Sequence, residues 1–243
     1  MAAILGGDCV DADAGISMNS MPFDATPLYQ RYWRWYERLI AAIGHRRSLR
    51  DYFARRLDLR QGLRVLDAGC GSGASLAAIF DAARNHHVDA IVAHGFDASP
   101  AMLAAARRRL SGTPRGISLC LLRARLLDDA LPTDWKGFDL AISSGMLEYL
   151  PKRRLAEALK GLGDRLAPAG RLVFFISKDS AWNRLFIRGL WKAELWSERE
   201  IRAACAEADL IVMSLEPFRR WGYAVEAIAN GRRIAHKADQ GIK

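Results

Sequence analysis

The feature that most constrains this chain is the stretch from Val65 to Gly73, which reads VLDAGCGSG. An apolar segment leads into Asp67, glycines follow at alternate positions, and the helical pattern ASLAAIFDAAR begins at once. Glycine permits the backbone angles of a tight turn and lets a ligand approach the main chain closely. The stretch predicts a strand, a ligand-binding turn and a helix, although a tight turn without a ligand would use the same glycines.

Two classes of ligand fit this turn. The spacing Gly69-x-Gly71-x-x-Ala74 matches the loose dinucleotide fingerprint, and Asp97 could bind the ribose of NAD or of another nucleoside. Asp67 lies two residues before the first glycine, where it could hold an ammonium group through water or backbone. This position, together with the order of elements given below, favours a ligand with an ammonium group over NAD.

Length and composition predict one globular domain with a sizeable core. The chain has 243 residues, of which 51% are apolar and 26% charged. Its net charge is +9, but most basic clusters are interleaved with apolar residues at helical spacing, so solvated helix faces explain them. There is no signal-like or membrane-spanning segment, and the four scattered cysteines are expected to be reduced thiols. We therefore expect a cytoplasmic protein, with membrane association left open.

The N-terminal part is predicted to be a tail over residues 1–24, followed by a helical lid over residues 25–60. Thr26 and Pro27 are typical of a helix start, and the segment PLYQRYWRWYERLIAAIG has a wide aromatic stripe opposite a basic face. Such a helix could make peripheral contact with a membrane surface, since Trp, Tyr and Arg suit that interface. It could also close over a bound cofactor, or pack on the domain for stability alone.

From residue 63 onward, strand patterns, including 117–123 and 138–144, alternate with helical patterns, which predicts a parallel sheet covered on both faces. Ser99 with Pro100 predicts one helix start, and a capping box of Ser197 and Glu200 predicts another. Helix 151–167 is followed by a turn at 168–170 and a strand at 171–177. Residues 179–196 are aromatic and basic, and we interpret them as an insertion on the substrate side. The last two strands, 210–215 and 223–229, have no helix between them and predict an antiparallel hairpin. Residues 25–243 are expected to form a single domain.

These motifs, in this order, resemble those of the class I S-adenosylmethionine (SAM)-dependent methyltransferases. VLDAGCGSG is similar to the first motif of that family, GFDASPAML to the second, and FDLAISSGMLEYLP to the fourth-strand motif. The likeness is greatest to the small-molecule branch that includes quinone and lipid C-methyltransferases. It implies a Rossmann-like, doubly wound α/β fold whose seven-stranded sheet is mostly parallel and ends in an antiparallel hairpin.

The resemblance also implies a cofactor site for SAM and for its product, S-adenosylhomocysteine (SAH). The first motif would border the methionine part, Asp97 would accept hydrogen bonds from both ribose hydroxyls, and the fourth-strand end would face the amino group. The family commonly places an acidic residue after the third strand to bind the adenine amino group, but here Arg123 and Arg125 occupy the likely positions. Either Asp128 or Asp129, a few residues later, takes this role, or the Leu126 backbone contacts the adenine, so these contacts stay open. The implied cofactor-binding residues are Asp67, Ala68, Gly69, Cys70, Gly71, Asp97, Ala98, Met102, Arg125, Leu126, Ser143 and Ser144.

Methyl transfer from a sulfonium needs alignment and exclusion of water rather than a catalytic triad, and no triad is evident. The sequence assigns no catalytic residue, although a base for an acceptor that loses a proton is conceivable at His45, Glu148, Tyr149 or Asp179. No cluster has metal-ligand spacing, so no metal is expected. The predicted acceptor is a small hydrophobic or aromatic molecule, and nucleic acid is disfavoured. A non-catalytic SAM-fold scaffold and an RNA methyltransferase are the alternatives.

Overall fold

The computed structural model describes residues 44–113, 116–127, 131–188 and 192–230. The chain divides into two compact units, the first extending to Arg125 and the second beginning at Leu126. The predicted tail 1–24 and the aromatic helix lie outside the described residues, as do Asp128 and Asp129. The predictions made for them therefore stay predictions, as does the assignment of 25–243 to a single domain.

The first unit is built from alternating helices and parallel strands. Its elements are α1 (His45–Arg56), β1 (Leu63–Ala68), α2 (Ala74–Asn85), β2 (Ile91–Asp97), α3 (Pro100–Leu110) and β3 (Ile117–Arg123). The strands lie in the order β3-β2-β1 and all run parallel, with Asp67 opposite Gly95. Since β1 and β2 begin in register, their carboxyl ends lie side by side. The turn after β1 and the end of β2 are therefore neighbours.

Local sequence explains where the helices of this unit begin. Ser99 caps α3 by accepting a hydrogen bond from the Met102 N–H at 3.3 Å, and Pro100 occupies the first helical position, as predicted. Gly73 precedes α2 in the left-handed conformation, with φ of 77°. The buried residues of β1 are apolar except for Asp67, and Val65, Leu66 and Ala68 are fully buried.

The second unit contains two parallel strands and an antiparallel hairpin. Its elements are β4 (Phe138–Ser144), short 3₁₀ turns at Leu147–Tyr149 and Lys152–Arg154, α4 (Leu155–Gly163), β5 (Leu166–Ser177), a helical segment over Ala181–Asn183 and Arg184–Arg188, α5 (Glu198–Glu207), β6 (Leu210–Phe218) and β7 (Gly222–Ala229). The strand order is β4-β5-β7-β6, and β7 runs antiparallel to both of its neighbours. The predicted capping box of Ser197 and Glu200 opens α5.

Together the described residues of the two units supply the seven strands of a mixed sheet, mostly parallel with a C-terminal antiparallel pair. This confirms the predicted Rossmann-like fold class. No helix in the described ranges is long and apolar enough to span a membrane.

One expectation is wrong in detail. The helix predicted over 151–167 is divided into a 3₁₀ turn and α4, and β5 already begins at Leu166 because that residue pairs with Phe138. The thiols of Cys70 and Cys205 are free and buried, in agreement with the expected reduced state.

Candidate active site

The turn after β1 has the conformation that its glycines permit. Gly69, Gly71 and Gly73 have φ values of 69°, 52° and 77°, all in the left-handed region that disfavours side chains. The N–H of Cys70 donates to the Phe96 carbonyl at 2.9 Å, and the N–H of Gly73 donates to the Cys70 carbonyl at 2.8 Å. The turn is therefore fixed both within itself and against β2.

Asp97, at the end of β2, holds the middle of this turn. Its Oδ2 accepts the Gly71 N–H at 2.9 Å, and its Oδ1 accepts the Ser99 N–H at 2.8 Å. Burial raises the pKa of Asp97, and these two backbone hydrogen bonds lower it in part. A carboxylate has about four acceptor sites, so both oxygens keep capacity for hydroxyl donors of a ligand.

Asp67 is fully buried near the end of β1, and neither of its carboxylate oxygens has a hydrogen-bond partner among the described residues. Burial raises its pKa to about 8, and the negative charge of Asp97 adds to this rise. A buried carboxyl group without a partner is costly, and a positively charged ligand group would satisfy it. These residues therefore fit the ammonium group of SAM, which was the chemistry expected from the position of Asp67.

The other residues predicted to bind the cofactor in the first unit lie around the same turn. Met102 is buried, and its Cε lies 3.9 Å from the position that a Cβ of Gly71 would occupy. The half-buried Ala98 follows Asp97 directly, and the half-buried Arg125 comes two residues after β3. Ala68 and Cys70 are buried beside the turn. The structure thus brings most of the predicted set together, while the location of Arg125 leaves its role a prediction.

Arg109 is a contributor that the sequence did not reveal. Its Nη1 donates to the Ser72 carbonyl at 2.6 Å and also to the Ser72 hydroxyl, so it joins the end of α3 to the glycine turn. The cluster Arg107 to Arg109 was interpreted as a solvated helix face. The sequence signal that could have identified Arg109 is its position one helical turn after Ala106, which is buried.

In the second unit, the predicted residues Ser143 and Ser144 end β4, and Leu126 lies half-buried at the start of the unit. Ser143 is fully buried, and its hydroxyl has no partner within the described part of the chain. The strand continues into Gly145, whose N–H donates to the Phe175 carbonyl of β5 at 3.2 Å. The end of β4 is thus anchored to β5 and carries a hydroxyl that a ligand could use.

Glu148 is the candidate base with the most unusual surroundings. Its Oε2 accepts the Ser177 N–H at 2.9 Å, and burial of its carboxylate raises its pKa to about 7, which hydrogen bonds from Ser177 lower only in part. Asp179, by contrast, forms a bidentate ion pair with Arg184 at 2.7 and 2.8 Å. His45 and Tyr149 are both half-buried. Within the described residues, no group of three or more His, Cys, Asp or Glu side chains could hold a metal ion.

Comparison with known proteins agrees with this geometry. Residues 66–172 match the sequence family described as a methyltransferase domain, whereas no curated protein matches the chain. Magnesium protoporphyrin IX methyltransferase from Synechocystis PCC 6803 with bound SAM is similar in structure, with a TM-score of 0.63 at 16% identity over 86% of this chain and 99% of that one.

Two further solved structures are larger proteins that share the fold. The pyocyanin biosynthetic protein PhzM has a TM-score of 0.65 at 20% identity, over 84% of this chain and 61% of that one. The mitomycin 7-O-methyltransferase MmcR has a TM-score of 0.63 at 18% identity, over 84% of this chain and 59% of that one. Identities this low establish a common fold and leave the acceptor undetermined.

Proposed function

We propose that this chain is a class I SAM-dependent methyltransferase, which transfers the methyl group of SAM to a small, hydrophobic or aromatic acceptor. The observation that carries the cofactor assignment is the buried carboxylate of Asp67, which has no partner in the described part of the chain and lies beside a left-handed glycine turn. NAD lacks an ammonium group, whereas SAM has one on its methionine part. The matched methyltransferase domain supports the same assignment.

Bound SAM supplies a methyl group on an activated leaving group. The chain therefore has to bind SAM and the acceptor, orient them toward each other and exclude water. In this proposal Asp67 receives the ammonium group, and the free acceptor sites of Asp97 receive the ribose hydroxyls. Met102 and Ala98 contact the adenine. Arg109 acts indirectly, because its hydrogen bonds to Ser72 keep the glycine turn in shape.

The hydrophobic nature of the acceptor is supported by the segment after β5. Trp182 and Leu185 are 62% and 68% exposed there, although large apolar side chains are usually buried. Arg184 beside them is already paired with Asp179, so these exposed apolar side chains favour a hydrophobic or aromatic molecule. Proteins of similar fold include a mitomycin 7-O-methyltransferase and a family 2 O-methyltransferase in complex with apigenin, and both names contain a small molecule.

The first test is cofactor binding by isothermal titration calorimetry, with SAM and SAH titrated separately into the full-length protein. Both should bind at a single site, and Asp97→Ala should abolish binding because the turn loses its central carboxylate. Asp81→Asn serves as the matched control, since Asp81 is a half-exposed carboxylate of α2 paired with Arg84. Failure of the wild-type protein to bind either compound would refute the proposed function.

The second test is transfer of radiolabelled methyl groups to a panel of aromatic acceptors, followed by chromatography of the products. Methylated product from at least one small acceptor is expected. Binding of SAM without turnover across the panel would instead favour a non-catalytic partner of another enzyme. Tight RNA binding that weakens steeply with salt would favour an RNA methyltransferase.

A further inference from the structure

We infer that Glu148 takes up the proton that a hydroxyl acceptor loses on methylation, which makes hydroxyl compounds the substrate class of this enzyme. This inference rests on the proposed function. It goes further because it names the residue that accepts the proton. It also separates methyl acceptors with a hydroxyl group from those that have no proton to lose, such as carboxylates.

The first argument is the geometry of the Glu148 carboxylate. The residue lies in the 3₁₀ turn directly after β4, which Gly145 initiates with φ of 74°. Its Oε2 is fixed by the Ser177 N–H at 2.9 Å, and its Oε1 lies 3.9 Å from the position that a Cβ of Gly145 would occupy. The carboxylate therefore faces the end of β4 in a fixed orientation. Hydrogen bonds from Ser177 cannot fill the roughly four acceptor sites of a carboxylate.

The second argument is the position of this carboxylate in the second unit. Ser144 pairs with Phe175, so Glu148 and Ser177 lie at the carboxyl ends of the parallel strands β4 and β5. In open α/β sheets, ligands bind at the carboxyl ends of the strands. A base at this edge of the sheet therefore lies where a methyl acceptor is expected to bind.

The third argument is that buried polar atoms without partners adjoin the same strand end. Trp196 donates its backbone N–H to the Ser177 carbonyl at 3.0 Å, and Asn183 donates its side-chain N–H to the Lys178 carbonyl at 2.7 Å. The indole Nε1 of Trp196 and the Oδ1 of Asn183 are both buried and lack partners among the described residues. An unpaired donor and an unpaired acceptor are costly to bury, and polar groups of a ligand would satisfy them.

The electrostatic surroundings suit a group that gains and loses a proton near neutral pH. Burial raises the pKa of Glu148 to about 7, with Ser177 opposing that rise. Charged residues on the neighbouring elements include Lys178 and Asp179 after β5, and Glu194, whose N–H donates to the Glu148 backbone carbonyl at 2.7 Å. Lys152 lies 5.1 Å from the centre of the Trp196 ring and pairs with Glu200. Asp179 is neutralised by Arg184. A base whose pKa is close to the working pH is the most effective proton acceptor.

The step balances with the groups named. The acceptor oxygen forms a bond to the methyl carbon, and the bond between that carbon and the sulfonium sulfur breaks, with its electron pair remaining on sulfur. The hydroxyl proton passes to the carboxylate of Glu148, which later releases it to water. A carboxylic acid acceptor would already be ionised at neutral pH and would not need this residue.

The experiment measures methyl transfer to apigenin, catechol and 1-naphthol, with 1-naphthoic acid as the carboxylate counterpart. Glu148→Gln keeps an oxygen that can accept the Ser177 N–H but cannot take up a proton. We expect this variant to lose at least about 100-fold in kcat/KM with hydroxyl acceptors while binding SAH as the wild type does. The matched control is Glu157→Gln, which removes an exposed carboxylate of α4 that pairs with Arg154.

The pH profile separates proton uptake from a structural role. For the wild type, kcat/KM should rise about tenfold per pH unit up to near pH 7 and then level off, whereas Glu148→Gln should lack this rise. Should Glu148→Gln fail to fold, Glu148→Asp should keep the pH dependence at a reduced rate. The inference is overturned if Glu148→Gln stays within threefold of the wild type, if its pH profile is unchanged, or if no hydroxyl probe is methylated. Failure of the wild-type protein to bind SAH would instead refute the proposed function.

Discussion

Replacing Asp67 by Asn tests the central claim about the cofactor site, namely that a carboxyl group is buried there without a partner until a cation binds. In the unliganded protein the pKa of Asp67 is about 8, against an ordinary value of 3.8. The folded state thus retains a proton that the unfolded chain has already released. A raised acid pKa makes stability fall as the pH rises between these two values.

The size of this effect follows from proton linkage. Between pH 5 and pH 8 the unfolded chain is ionised at Asp67 and the folded protein holds the proton, so each pH unit costs up to about 1.4 kcal/mol. The free energy of unfolding should therefore decrease by about 4 kcal/mol across this range, which corresponds to roughly 10 °C in melting temperature for a chain of this size. An asparagine does not titrate, so Asp67→Asn should remove this part of the pH dependence.

The assay is thermal unfolding of wild type, Asp67→Asn and the control Asp81→Asn at half-unit pH steps, each with and without SAM. Asp67→Asn should be more stable than the wild type at pH 8 and should bind SAM more weakly, because it lacks the charge that holds the ammonium group. SAM affinity of the wild type should increase with pH up to about 8, as the carboxylate ionises. Equal pH slopes for wild type and Asp67→Asn would refute the reasoning.

Three further perturbations test separate parts of the structure. Asp97→Ala should abolish SAM binding in calorimetry while leaving far-UV circular dichroism unchanged, and retained affinity would contradict its role. Gly73→Ala should destabilise the protein by about 2 kcal/mol in chemical denaturation, because φ is 77° and the added Cβ would lie 2.9 Å from Leu110 Cδ1. The double change of Trp182 and Leu185 to Ser should leave stability within about 0.5 kcal/mol but raise KM for hydrophobic acceptors, since both side chains are exposed. An unchanged KM would remove them from the acceptor site.

The sequence predicted strands and helix starts well where local rules dominate. The bounds of β3 and β4 were predicted to the residue, and the Ser99 cap with its following proline begins α3. The prediction failed where the pairing of two strands sets the boundary of an element. Leu166 was assigned to the helix predicted over 151–167, but it pairs with Phe138 and belongs to β5.

What the sequence alone determined is the glycine turn and the acids around it. Left-handed backbone angles, helix caps and alternating apolar residues depend on near neighbours in the chain, so VLDAGCGSG already predicted a turn that binds a ligand with an ammonium group. The resemblance to methyltransferases then implied SAM.

The tertiary structure decided which of these groups are charged, buried or paired. Three features could not be predicted because each depends on segments far apart in the chain. They are the burial of the Asp67 carboxylate without a partner among the described residues, the hydrogen bond from Arg109 to Ser72 and the hydrogen bond from Ser177 to Glu148. A pKa is set by the solvent and charge that the whole fold places around a group. The chemistry of the site therefore emerged only when the strands brought these segments together.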